Sequence, residues 1–284
     1  MNRTTSLLLL GAFLASLSFP LSTPAQRADI PAINADPYVS ALVIDAATGE
    51  PLFARRPAAQ VYPASVLKLM GLYVILDLIE QGKLRMDDMV TASVEAYRMG
   101  GSQVYLDVGE QFSIEDLLYA LIIQSANDAA VALAEHIAGS REGFVRLMNE
   151  KARELGMTQT TFHSVHGLPP TVGQQPDVTT ARDIARLSQA LLRFPEALPI
   201  TSTTERGFRN NAFQMQTHNN LLKRVPGCDG LKTGYFRLAG YSIAATAERD
   251  GKRVIAVVMG SETKQARDNA AAQLIEEAFR TLSR

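Results

Sequence analysis

Three short constellations in this chain combine residue types that can together cut an amide bond. Ser65-Val66-Leu67-Lys68 places a hydroxyl and an amine three residues apart, about one helical turn, so that the amine can reach the hydroxyl proton. Ser125-Ala126-Asn127 offers a second hydroxyl beside a carboxamide, and Lys232-Thr233-Gly234 a cation, a hydroxyl and a position with no side chain. A serine hydroxyl is a weak nucleophile until a base takes its proton, and a lysine does so near neutral pH only when desolvation or a neighbouring cation depresses its pKa. The chemistry suggested is acyl transfer through Ser65, with Lys68 as base and backbone N–H groups at a helix N-terminus as oxyanion donors.

The three differ in specificity. S-x-x-K arises by chance roughly once in a chain of this size, and here it occurs twice, at Ser65 and at Ser261–Lys264. The second copy joins a strand to the last helix and reads as a helix-starting turn. Ser125 and Asn127 could be plain helix caps. K-T-G, in contrast, is expected only about 0.05 times at average composition, and the ordered set of three is more specific than any member.

These residues need elements to hold them. Residues 65–81 (SVLKLMGLYVILDLIEQ) are apolar on almost every face through Ile79, the pattern of a helix buried inside a domain, and a lysine there is costly without a partner or a lowered pKa. Further helices are expected at about 115–124, 128–138, 141–155, 180–193 and 264–283. Strands are expected at 39–45 (VSALVID) with 52–56, and at 240–248 with 253–260 around Asp250-Gly251, a two-residue hairpin signal. The last helix carries Ala271, Leu274, Ile275, Ala278, Phe279 and Leu282 on one face, which suits packing on a sheet. Strands at both ends around a helical middle imply an α+β fold: one antiparallel sheet formed by both chain ends, flanked by helices, with a mainly helical inserted region.

The chain has 284 residues, 46% hydrophobic and 20% charged, with a formal net charge of −1 and no run of like charges. That excludes the electrostatic footprint of nucleic-acid binding. Arg3, the apolar run Leu7–Leu21 and Thr23-Pro24-Ala25 read as an export signal over residues 1–25, with a short extension at 26–35 and a catalytic domain at 36–284. No stable membrane anchor is expected after signal removal, and the expected setting is the periplasm or cell-wall space. The single Cys228 permits no intramolecular disulfide, and no zinc-type Cys/His spacing occurs, so no metal or cofactor is expected.

The ordered set S-x-x-K, S-x-N, K-T-G is the signature of serine penicillin-binding proteins and β-lactamases. The stretches IDAATGEPLFARRP, YPASVLKLM, QSANDAAVALAEHIAGS, TTFHSVHGL, TTARDIARLSQALL and DGLKTG resemble the low-molecular-mass D-alanyl-D-alanine carboxypeptidases, from about residue 36 to the C-terminus. The resemblance implies that Ser65 is acylated by the penultimate D-Ala carbonyl of peptidoglycan stem peptides ending in D-Ala-D-Ala, and by β-lactam antibiotics, with Lys68 taking the hydroxyl proton. It implies that Ser125 and Asn127 bridge the lysine network and hold the substrate amide, that Lys232 supplies a neighbouring charge, and that Thr233 and Gly234 lie at the substrate's terminal carboxylate. The oxyanion hole would be the N–H groups of Ser65 and Tyr235. Tyr235-Phe236 stands where well-known members carry a histidine, and His218 in THNNLL aligns with an arginine that helps hold the carboxylate.

The resemblance also leaves a D,D-endopeptidase that opens peptidoglycan cross-links, a class A β-lactamase and a non-catalytic penicillin-binding sensor as alternatives. A Ser-His-Asp hydrolase is weakened by the lack of a G-x-S-x-G elbow, although four histidines are present. His163 and His166 read as loop residues rather than a metal pair.

Overall fold

The computed structural model describes residues 36–283, which belong to one compact unit. The expected export signal at 1–25 and extension at 26–35 lie outside the described residues.

Strand β1 (Ser40–Asp45) turns into β2 (Pro51–Arg55). A 3-10 turn at Ala64–Leu67 then runs directly into α1 (Lys68–Glu80). The expected helix at 65–81 therefore begins as a tighter turn, and every residue of α1 from Lys68 to Asp77 is buried. Next come β3 (Met89–Thr91), α2 (Val94–Tyr97), β4 (Gln111–Ser113) and α3 (Ile114–Tyr119). The helix expected at 115–124 is interrupted, because Ala120–Gln124 widens to a π-helix and ends at Ser125 with φ 61°. Helices α4 (Asn127–Ala138) and α5 (Arg141–Glu154) follow, the first closed by Gly139 and the second capped by Ser140. After a long connection come α6 (Ala181–Leu191), capped by Thr180, and α7 (Ala197–Ser202). A hairpin of β5 (Glu205–Phe208) and β6 (Phe213–Gln216) precedes the short α8 (Leu221–Arg224). The chain ends with β7 (Cys228–Phe236), β8 (Gly240–Arg249), β9 (Lys252–Ser261) and α9 (Lys264–Leu282).

The main sheet has the order β2-β1-β9-β8-β7, antiparallel throughout, so both chain ends build it as the sequence implied. Asp250 and Gly251 turn β8 into β9 with positive φ at both, the geometry a two-residue hairpin requires. Side chains alternate across the sheet with period two. Leu42, Ile44, Ala244, Ile255 and Val257 join the large core around α1, while Ala41, Val43, Ile243, Ala245, Ala256 and Val258 pack under Ala271, Leu274, Ile275 and Phe279 of α9. The last helix thus lies on the sheet, as its apolar face predicts.

One expectation is corrected. The sequence reads Cys228-Asp229-Gly230 as a turn, with K-T-G following it ahead of a strand that starts near Gly240, whereas residues 228–236 form β7, paired along its length with β8. Gly, Asp and Lys are poor strand formers, and tertiary pairing overrides that local preference. As an edge strand, β7 keeps one side of its backbone free of sheet partners.

Candidate active site

Ser65, Ser125, Thr233, Gly234, Tyr235 and His218 line a single cleft of about 310 Å³, and Lys68, Asn127 and Lys232 are buried around it. Every candidate site residue read from the sequence therefore converges, although they are drawn from four separate stretches of the chain.

Lys68 is 0% exposed. Its Nζ lies 3.0 Å from Ser65 Oγ, 2.8 Å from Asn127 Oδ1 and 2.7 Å from the carbonyl oxygen of His166. A carbonyl and a carboxamide oxygen can only accept, so each consumes one N–H. A neutral amine has two N–H donors and one lone pair. The two obligate acceptors use the donors, and the lone pair is left facing the one neighbour that can donate, the Ser65 hydroxyl. Burial and the positive charge of Lys232 push the Lys68 pKa well below the ordinary lysine value, against the opposing charges of Asp128 and Asp177. Both conditions for a lysine base are met.

The partners of Lys68 are themselves fixed. Asn127 Nδ2 donates to the Gly100 carbonyl at 2.7 Å and its backbone N–H to the Ser102 carbonyl at 2.8 Å. Asp128, fully buried, accepts the backbone N–H groups of Val104 and Leu106, both at 3.1 Å, and so clamps the same loop. On the other side, Asp177 accepts from the N–H and Oγ of Ser164, and Ser164 Oγ accepts the Gly167 N–H at 2.9 Å. That turn aims the His166 carbonyl at Lys68. Burial, reinforced by Lys68, lowers the His166 imidazole to a pKa of about 4, so the ring is neutral and its Nδ1 accepts from the Leu168 N–H. Gly167 has φ 77°, and a Cβ there would meet the Ala64 carbonyl at 2.2 Å, so the turn and the nucleophile's turn touch backbone to backbone.

Lys232 Nζ donates to Ser125 Oγ at 3.0 Å and to the Thr233 carbonyl at 2.9 Å. Burial first, and then the charge of Arg267, bring its pKa down to about 7. The expected lysine network is thus divided. Asn127 bonds to Lys68 and Ser125 to Lys232, and among the described residues no hydrogen bond joins Ser125 to Lys68. Gly234 is required by the approach of β7 to the nucleophile, since a Cβ there would lie 2.9 Å from the Ser65 backbone nitrogen and 2.7 Å from the Pro63 carbonyl. Tyr235, the next residue, is 52% exposed and stacks on Tyr241 at 4.0 Å between ring centroids.

His218 lines the cleft as expected, but the protein around its ring and the charges of Lys232 and Lys264 lower its pKa, so it is a neutral hydrogen-bonding group at pH 7. The positive charge comes from the start of α9, from Lys264, which the sequence reads only as part of a helix-starting turn, and from Arg267, which the sequence reading does not single out. Arg267 is 2% exposed, with Nε 2.8 Å from Asp268 Oδ1. Asp268 Oδ2 in turn accepts from Asn220 Nδ2 at 2.8 Å. Arg267 precedes Ala271, Leu274 and Ile275 by four, seven and eight residues, which puts it on the buried stripe of α9. A charge on an apolar stripe is the signal that singled out Lys68, and it was available here too. Ser102, also in the cleft wall, was a second omission. Among the described residues there is no group of three or more His, Cys, Asp or Glu side chains placed to hold a metal.

The family model described as D-alanyl-D-alanine carboxypeptidase matches residues 24–263. The chain is 36% identical over 282 residues to D-alanyl-D-alanine carboxypeptidase DacF of Bacillus subtilis (98% of this chain, 71% of the relative) and 38% identical over 263 residues to DacC of Escherichia coli (90% and 64%). It therefore spans roughly two thirds of the length of these relatives. Penicillin-binding protein D2 from Listeria monocytogenes, solved in its ampicillin-bound form, superposes with a TM-score of 0.78 at 32% identity, covering 88% of this chain and 99% of that one.

Proposed function

Since the chain belongs to the D-alanyl-D-alanine carboxypeptidase family, peptidase family S11, and is a serine-type carboxypeptidase of that class, we propose that it trims the terminal D-Ala from peptidoglycan stem peptides through an acyl-enzyme on Ser65. The substrate's extended C-terminal segment lies along the outer edge of β7, whose N–H and C=O groups on that side have no strand partner. Its carboxylate meets Thr233 Oγ and the guanidinium of Arg267. Neutral Lys68 takes the Ser65 proton as Oγ attacks the penultimate carbonyl carbon, and the developing oxyanion is held by the N–H groups of Ser65 and Tyr235. The C–N bond then breaks, and the leaving D-Ala nitrogen takes a proton relayed from Lys232 through Ser125 Oγ. Lys68 then releases the Ser65 proton to solvent while Lys232 regains one; water attacks the ester, neutral Lys68 receives its proton and returns it to Ser65 Oγ as the ester C–O bond breaks, and the shortened peptide departs. Residues 36–284 form the catalytic domain, working outside the cytoplasmic membrane where peptidoglycan is assembled. Among the described residues no helix is long and apolar enough to cross a membrane.

A β-lactam presents a strained amide and a carboxylate to the same groups. Its leaving nitrogen stays tethered after acylation, which obstructs the water step and makes such compounds inhibitors. The ampicillin-bound relative supports this reading. The observation that carries the proposal is the bonding of Lys68 Nζ, with two obligate acceptors and one hydroxyl in contact with a buried amine.

The test is incubation of the purified protein with a labelled penicillin and with a pentapeptide ending in D-Ala-D-Ala, repeated with Ser65→Ala. The expected result is a covalent adduct and D-Ala release from the unsubstituted enzyme, with neither from the variant. An adduct of equal yield on Ser65→Ala would remove Ser65 from the mechanism.

A further inference from the structure

Ser125 and Asn127 bond to two different lysines, and the backbone that carries them is unusual. The apolar helix leading into the motif widens over Ala120–Gln124, where the Ala126 N–H reaches back to the Ala120 carbonyl at 3.0 Å. The chain then passes through Ser125 at φ 61° and ψ 32° before α4 begins at Asn127. A residue with a side chain disfavours that left-handed conformation. Here it sets the direction of Ser125 Oγ, 3.0 Å from Lys232 Nζ. Leaving the helix at this point also takes from the Gln124 carbonyl the N–H that a continued helix would bring to it four residues on.

Ser102 supplies a donor in its place. Its Oγ donates to the Gln124 carbonyl at 2.5 Å, and its own carbonyl accepts the Asn127 N–H at 2.8 Å. One residue thereby fastens the chain on both sides of Ser125. The loop that carries Ser102 is itself fitted closely to the motif: the Gly100 carbonyl accepts from Asn127 Nδ2, and a Cβ on Gly101, at φ 78°, would come within 2.8 Å of that same nitrogen. The two bonds of Ser102 differ in what a substitution removes. The one to Asn127 joins backbone to backbone and survives any side chain, whereas the one to Gln124 depends on the hydroxyl alone. Asn127 serves Lys68 and Ser125 serves Lys232, so the Ser102 hydroxyl bears on the Lys232 half of the site.

We propose that Ser102 is a positioning residue for the proton-donating half of the reaction: its hydroxyl holds the Gln124 carbonyl, and through it the left-handed turn that keeps Ser125 Oγ between Lys232 and the leaving nitrogen. The proposal rests on the Ser65 acyl-enzyme reading and adds a role to it. Lys232 Nζ donates to Ser125 Oγ, which leaves the proton of the Ser125 hydroxyl free for the leaving group. As the C–N bond breaks, that proton moves to the nitrogen and one from Lys232 replaces it on Oγ. Without the Ser102 hydroxyl the Gln124 carbonyl loses this donor, Ser125 relaxes from the left-handed region, and Oγ moves off the line of transfer. Ser65, Lys68 and Asn127 keep their contacts. The loss therefore falls on the departure of a basic leaving group and not on the attack by Ser65 Oγ.

Three acylating substrates separate these steps: a peptide ending in D-Ala-D-Ala, benzylpenicillin, and a thioester of the same peptide acyl half that releases 2-mercaptopropionate. The first two break a C–N bond and need the proton. The third releases a thiolate, stable as an anion because an ordinary thiol has a pKa of about 8.5, and does not. Ser102→Ala is expected to lower kcat/KM for the peptide, and the second-order acylation constant for benzylpenicillin, by about 10- to 100-fold. The thioester should stay within about threefold, which also shows that the fold and the Ser65–Lys68 pair persist. Ser102→Thr keeps the hydroxyl and should restore both C–N substrates to within about fivefold of the unsubstituted enzyme. Equal losses on the thioester and the C–N substrates overturn the proposal, and so does a loss on none of them. A Ser102→Thr enzyme as slow as Ser102→Ala overturns it too, because the hydroxyl would then not be what matters. An unsubstituted enzyme that is acylated by benzylpenicillin but releases no D-alanine would instead sink the carboxypeptidase reading, and the contrast between benzylpenicillin and the thioester still decides for or against Ser102.

Discussion

The chain contains S-x-x-K at Ser65–Lys68 and again at Ser261–Lys264, and the two regions could hardly differ more. The first is a 3-10 turn entering a helix buried on all sides, with a fully buried lysine that makes no salt bridge among the described residues. In the second, Ser261 closes a central strand, Thr263 rather than Ser261 caps the helix, and Lys264 is exposed. Spacing is the same, yet only one lysine is desolvated and pinned by two obligate acceptors. Environment, then, converts the motif into a base. The second copy is not idle, because Lys264 and, three residues on, Arg267 form the charged side of the cleft in which Ser65 sits. One copy carries the bond chemistry and the other begins the helix that reads the substrate's charge.

The strongest way to break this contrast is Lys68→Ala. Loss of a positioned base is expected to slow acylation by about 10²- to 10⁴-fold. Stopped-flow acylation by a chromogenic cephalosporin, with a melting curve to show that the fold persists, checks it. Acylation at the unsubstituted rate would place the base elsewhere and erase the distinction between the two motifs.

Arg267→Gln probes the charged side. A bidentate-capable guanidinium at a carboxylate is not replaced by an amide, so KM for D-Ala-D-Ala peptides is expected to rise by about tenfold or more. The pH profile supplies a second readout. Lys232 titrates at about 7 in part because Arg267 repels its cationic form. With that repulsion gone, the cation persists to higher pH, and the alkaline limb of kcat/KM must move upward. A limb that stays in place, or moves down, would show that Lys232 does not set it.

Asp268→Asn is a milder version of the same test. Asp268 touches Arg267 and Asn220 and does not line the cleft, so it acts through the orientation of the guanidinium. KM for carboxylate-ended peptides should rise by about threefold to tenfold, with kcat nearly constant. A substrate ending in a carboxamide should be indifferent to the change. Equal losses on both substrates would mean that Asp268 serves the fold rather than Arg267.

Legibility from the sequence followed the same division. The buried helix α1, the terminal strands and the packed face of α9 were readable because long apolar periodicity reports burial directly. Strand β7 was not, because Asp229, Gly230, Lys232 and Gly234 occupy it for reasons of backbone approach and chemistry rather than strand propensity. The β3–β4 and β5–β6 pairs are too short to show a period. The π-helix before Ser125 left no mark, since ALIIQ reads as ordinary helix. Asn127 was assigned to substrate and lysine by family resemblance, but its bonds to Gly100 and Ser102 depend on a loop whose path no local pattern gives. Arg267 is legible in principle, as a charge on the apolar stripe of α9, but the hydrophobic face of that helix does not by itself point to it.

Ser261→Ala makes the smallest and most pointed change. The Ser261 side chain is fully buried, and its Oγ has no hydrogen-bond partner among the described residues. A buried hydroxyl without a partner costs about 1–3 kcal/mol of desolvation, whereas the methyl group of alanine costs nothing of that kind. The small void left by the oxygen offsets part of the gain. The expected net is a stabilisation of at most about 1 kcal/mol, a rise in Tm of about 2–4 °C for a domain of this size, read by calorimetry. Acylation should remain within about twofold of the unsubstituted rate. A fall approaching that of Lys68→Ala would mean that the second S-x-x-K takes part in the reaction, and that burial of the lysine is not what separates the two copies.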